Sequence, residues 1–129
     1  MTGINFKREI ADTVDHAIER VTKALGAEGF GILTRIDMHL KIKEKTGKDI
    51  VPTVILGACN PNLAYEAYTA NTDVASLLPC NAVVREIGPG RISVELAAPS
   101  GMMRILGDAK LTELAREADT HIERALAAV

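Results

Sequence analysis

The sequence predicts an α+β fold, with helices packed on one face of a mostly antiparallel sheet of about five strands. Three observations carry this expectation. Runs that alternate every second residue are interleaved with runs at helical spacing. Two alternating segments flank Gly88-Pro89-Gly90 as a hairpin would. The chain closes on a long amphipathic stretch with a capping residue in front of it. At 129 residues it fits a single domain over 1–129, long enough to bury roughly two thirds of the surface its unfolded form exposes.

Ile4 to Ile10 alternates as a first strand, although Arg8 interrupts its apolar face. Asp12 stands where an N-cap belongs, and Val14, Ala17, Ile18, Val21 and Leu25 follow at helical spacing until Gly26 and Gly29. Phe30 to Ile36 forms a second strand. Asp37 then caps a short helix that runs through Lys45 and ends at Gly47. The cluster Lys41, Lys43, Glu44, Lys45 and Lys48 reads as a solvated face, with a small anion-docking patch as the alternative. Val51 to Ala58 is an almost unbroken aliphatic run, the pattern of a central strand covered on both faces, with Pro52 at its start.

Asn60 is a good N-cap and Pro61 suits the first helical position, so a helix opens there and runs to about Asn71. Tyr65 and Tyr68, three apart, share one of its faces and pack with their hydroxyls reaching water. Asn81–Ile87 and Arg91–Ala97 are the hairpin strands, and Arg91, Ser93 and Glu95 give the second a wet face. Beyond a loop containing Pro99 and Gly101, Asp108 caps the closing helix, whose core positions include Leu111, Leu114, Ala118, Ile122 and Leu126.

Composition narrows the function classes. Hydrophobic residues are 47% and charged residues 25%, values of an ordinary globular chain. A net charge of −2 and an aromatic content of 3% argue against nucleic acid, which needs a basic surface and stacking platforms. Neither a signal-peptide core at Met1–Lys7 nor an apolar run of about 18 residues is present, so no membrane association is expected and the chain reads as cytoplasmic. In a reducing compartment its two cysteines are thiols rather than a structural disulfide.

Those cysteines, Cys59 and Cys80, define the candidate site, since Cys59-Asn60-Pro61 and Pro79-Cys80-Asn81 place each beside backbone-fixing residues at the edge of an element. Cys59 lies between the end of a strand and the first turn of a helix, where free N–H groups and the helix dipole favour a thiolate, a thiolate–metal bond or a small anion. Cys80 follows Leu78-Pro79, which fixes the direction of its strand. Their spacing matches neither a Cys-x-x-Cys pair nor a zinc finger, and two thiols leave a zinc shell incomplete. His39, Asp37, Glu66 and Asp73 are the candidate supplementary ligands, without a recognised spacing. The candidate ligand-binding set is therefore Cys59, Asn60, Tyr65, Cys80 and Asn81, with metal and cofactor unspecified and no catalytic residue assigned.

Other chemistry is sparse. His16 and His121 lie towards polar helix faces. Ser93 and Ser100 have no neighbouring base, and Met102-Met103 reads as packing under the loop, with a soft ligand or a sticky surface as the alternatives. Dinucleotide, P-loop, nucleophile-elbow and zinc-protease motifs are missing from the sequence.

Glu28-Gly29-Phe30-Gly31, Leu56-Gly57-Ala58-Cys59-Asn60-Pro61, Leu78-Pro79-Cys80-Asn81 and Ala98-Pro99-Ser100 occur in an order that resembles domain of unknown function 302. The resemblance covers almost the whole chain and places Cys59 and Cys80 on motif positions. It implies a curved antiparallel sheet like that of the TATA-binding-protein superfamily, and often a homodimer. Many relatives are expected to carry an aromatic near Val54, where this chain has none. The functional expectation is a small-ligand or soft-metal binding module. One alternative is a thiol enzyme using Cys59, with Cys80 resolving it; another is an interaction module whose cysteines only pack.

Overall fold

The structure, a computed structural model, describes residues 3–129. Its elements are β1 (Asn5–Ala11), α1 (Val14–Ala27), β2 (Gly31–Asp37), α2 (Met38–Thr46), β3 (Thr53–Cys59), α3 (Pro61–Ala70), β4 (Cys80–Gly88), β5 (Arg91–Ala97), α4 (Pro99–Met103) and α5 (Ala109–Ala128). A 3₁₀ segment over Thr72–Leu77 joins α3 to β4, and a second over Arg104–Leu106 follows α4. The five strands form one sheet in the order β1-β5-β4-β3-β2, antiparallel throughout. It is curved, with the helices on one face, as expected from the sequence.

Alternation along the strands decides which side chains meet the helices. Val54, Leu56 and Ala58 of β3, Ala82 and Val84 of β4, and Ile92, Val94 and Leu96 of β5 all face α1 and α5 and form the main core with Val21, Leu25 and Ile122. Each buried Val, Leu or Ile among these contributes about 1.5–3 kcal/mol relative to an exposed one. Arg8, the charge on the apolar face of β1, reaches the last turn of α5 instead of the core. Its guanidinium donates to the Leu126 carbonyl at 3.1 Å and the Ala127 carbonyl at 2.8 Å, satisfying orphan acceptors at a helix C-terminus. A second cluster, containing Ala67, Val74, Met103, Leu111, Leu114 and Ala115, holds α3, α4 and α5 together.

Several local expectations require correction. Thr13, rather than Asp12, caps α1, with its hydroxyl accepting from His16 N–H at 3.2 Å. Asp12 instead accepts from Arg20 at 2.7 Å and pairs with His16. Asp37 occupies the position before α2, but its carboxylate accepts from Arg35, leaving that helix without a side-chain cap. The middle strand is β4, whereas β3 lies one strand in from the β2 edge. Both faces of β3 are covered, as its aliphatic run implies: opposite the main core, Thr53 and Gly57 are buried and Ile55 is half-buried, and Gly57 leaves room for Thr34 and Pro79. The hairpin closes through Pro89-Gly90, with Gly88 paired to Arg91 and an irregularity between Glu86 and Gly88. Tyr65 and Tyr68 are 71% and 51% exposed, so they project to solvent instead of packing.

Candidate functional site

The Cys59 region is built by the end of β3 and the opening of α3. Asn60 adopts an extended conformation and its side-chain oxygen accepts from Leu63 N–H at 3.2 Å, while its carbonyl accepts from Ala64 N–H at 2.9 Å. Pro61 at the first helical position has no N–H to offer. Most of the donors that would stabilise a thiolate at this helix start are therefore engaged or missing.

Cys80 opens β4 directly across from Ala58. It shares the face of Ala82 and Val84 and so looks towards the helices. The preceding Leu78-Pro79 peptide is cis, and Pro79 lies over Gly57 on the opposite face. Adjacent antiparallel strands thus place their cysteines one residue out of register, Cys59 last in β3 and Cys80 first in β4.

Both cysteines line a cavity of about 40 Å³ at the seam between the two hydrophobic clusters. That space holds on the order of two or three water molecules. Half-buried Cys59, Asn60, Leu63 and Cys80 form its rim, while buried Ala67, Pro99 and Ala115 form its floor. Small side chains leave the gap, since alanines at 58, 64, 67, 115 and 118 line it. Met103, the last residue of α4, adds a third sulfur-bearing side chain to the wall.

Burial governs the chemistry of the thiols. It pushes Cys59 above its ordinary value, contrary to the expectation of an easily ionised thiol at a helix start. Burial pushes Cys80 up to about 11, with negative charge on Cys59 and Asp119 adding to the effect. The two thiols are close enough for ionisation of one to oppose ionisation of the other. Both are free.

Of the remaining sequence candidates, Asn60 contributes to the cavity, whereas Tyr65 and Asn81 lie outside its wall. Asn81 is exposed and pairs with Gly57 in the strand ladder. Asp37, His39, Glu66 and Asp73 are not brought to the cysteines; His39 Nδ1 accepts from Thr53 N–H at 3.0 Å. Among the described residues, no group of three or more His, Cys, Asp or Glu side chains is arranged to hold a metal ion. Sequence reasoning missed Asp119, which accepts from Ser100 N–H at 3.1 Å and from its hydroxyl. Nothing local signals this contact, because 19 residues and the docking of α4 on α5 separate the pair.

The fold and site define a small α+β protein with a five-stranded antiparallel sheet and a thiol-bearing cavity beside it. A family model described as "Domain of unknown function DUF302" matches residues 6–129, and the chain belongs to that family. Among solved structures, it is similar to the uncharacterized conserved protein DUF302 from Bacillus stearothermophilus, with 29% identity, 95% of each chain covered and a TM-score of 0.87. No curated protein matches the chain. Among the described residues, no helix is long and apolar enough to cross a membrane.

Proposed function

We propose that this DUF302 protein is a binding module that takes a small soft or apolar ligand in the cavity bordered by Cys59 and Cys80. One observation carries the reading: two cysteines from the ends of adjacent strands border a single small cavity whose walls are otherwise mainly apolar. Such a lining favours a ligand recognised by sulfur and dispersion over one recognised by charge. Asn60, held by its capping bond, supports the rim. A reducing cytoplasm suits this role, since both sulfurs must stay reduced to meet the ligand.

The rival reading, in which Cys59 is a nucleophile or redox centre resolved by Cys80, has less support. Burial raises both thiols and the start of α3 offers few free donors, the reverse of the setting that activates a cysteine.

The binding reading is tested by titrating the reduced protein with two probes, xenon and Cu(I), and following the methyl resonances of Ala58, Ala115 and Met103. At least one probe is expected to shift them. Silence with both probes, or unchanged affinity in both Cys59→Ser and Cys80→Ser for a probe that binds wild type, discards the proposal.

Self-association is a separate proposal. Leu33 and Ile36 on edge strand β2, with Leu40, Ile50 and Val51 on neighbouring segments, are 42–65% exposed. A second copy covering them forms the expected homodimer. Sedimentation is expected to give a dimer that Leu33→Asp weakens; a monomer at every accessible concentration rejects it.

A further inference from the structure

Resting on the reading of this cavity as a binding site, we infer that its ligand is a monovalent soft metal ion of the copper(I) class, held by the sulfurs of Cys59, Cys80 and Met103. Three separate elements supply these residues: the last position of β3, the first of β4 and the last of α4. All three line the same cavity of about 40 Å³. Sharing the wall of one small cavity is the juxtaposition on which the inference rests.

The donor set selects the metal. Thiolate and thioether sulfurs are the ligands that favour Cu(I), whereas Mg²⁺, Ca²⁺ and Mn²⁺ require oxygen. Zinc requires a fourth donor, and the chain's imidazoles are engaged elsewhere: His16 with Asp12, His39 with Thr53, and His121 with Glu28 at 2.9 Å. Asp119, the nearest carboxylate to enter the electrostatics of Cys80, is committed to Ser100. Aliphatic side chains make up most of the remaining wall. A two- or three-coordinate ion is what this lining can satisfy.

On binding, one Cu(I) ion replaces the two thiol protons, which leave to solvent, while the neutral Met103 thioether adds without proton loss. No electron is transferred. The resulting centre carries one negative charge spread over polarisable sulfurs, and the half-buried rim at Cys59 lets water moderate its cost.

The test is an anaerobic titration of the reduced full chain with Cu(I) in competition with a chromophoric chelator, together with X-ray absorption at the copper edge. One ion per chain in a sulfur-only shell is expected. Cys59→Ser and Cys80→Ser are expected to surrender the ion to the chelator, and Met103→Leu, close in volume, to weaken binding about tenfold. Retention by either Ser variant, a nitrogen- or oxygen-containing shell, or an unchanged Met103→Leu affinity overturns the inference. Circular dichroism verifies that each variant is folded. Xenon binding separates the two levels: a cavity that takes xenon but not Cu(I) defeats the metal assignment alone, whereas a cavity that takes neither defeats the binding reading as well.

Discussion

The carboxylate of Asp119 in α5 accepts hydrogen bonds from both the N–H and the hydroxyl of Ser100, and thereby ties the first turn of α4 to the middle of the closing helix. Its negative charge also opposes ionisation of Cys80. Asp119→Asn retains the shape but removes the charge. It is expected to destabilise the protein by about 1–2 kcal/mol in chemical denaturation and to let Cys80 react with an alkylating agent at lower pH. A variant as stable as wild type with an unchanged pH profile contradicts both roles.

Cys80 gives stability a dependence on alkaline pH. Its ordinary value is 9.0 and burial raises it to about 11 in the folded chain. Between these values the unfolded chain has released the proton that the native chain keeps, so stability falls as pH rises from 9 towards 11. Below pH 9 this group contributes no slope. The expected loss is on the order of 2–3 kcal/mol across the window, read as the difference in pH dependence between wild type and Cys80→Ala. Parallel curves for the two proteins count against a buried thiol.

Asp12 acts at the other end of the scale and with the opposite sign. Hydrogen bonding from Arg20, aided by Thr13 N–H and His16, lowers its carboxyl from 3.8 to about 2. The unfolded chain takes up this proton first on acidification, so the contribution is complete above pH 3.8 and disappears as pH falls through the folded value. Arg20→Met is expected to flatten the acid limb of the stability profile. Should wild type and variant unfold along the same acid curve, the pairing has no energetic role.

Gly57 is expected to tolerate no β-carbon. One placed there overlaps the Thr34 hydroxyl and comes within 2.7 Å of Pro79 Cγ. Gly57→Ala therefore costs about 1–3 kcal/mol through overpacking and displaces the turn that leads into Cys80. Gly88→Ala is the contrast, because nothing lies within 4 Å of its β-carbon position. Equal denaturation midpoints for the two variants would falsify the proposed close approach.

Elements whose reasons are local were legible in the residues. Asn60-Pro61 starts α3 as written, Gly47 ends α2 in the left-handed conformation, and Asp108 caps α5 by accepting from Leu111 N–H at 3.1 Å. Asp12 was misleading because Thr13 can cap the same helix, and the choice fell to the aspartate's distant partner Arg20. The aliphatic run of β3 suggested a central strand, but periodicity reports burial without reporting position in the sheet. At the candidate site, the two cysteines and Asn60 stood out from their neighbours in sequence. Met102-Met103 stood out only as a soft-ligand pair with no place assigned to it, and Asp119 not at all, since their relevance begins only when α4 and α5 dock.

By itself the sequence determined the order of strands and helices, the hairpin and most of the helix ends, because capping, backbone restriction and side-chain alternation act over a few residues. Only the tertiary structure decided that Cys59 and Cys80 border one cavity and that their protons are held tightly. Both outcomes depend on strand register and on the removal of water by helices remote in the chain. Those are properties of packed neighbours, and a spacing of residues does not encode them.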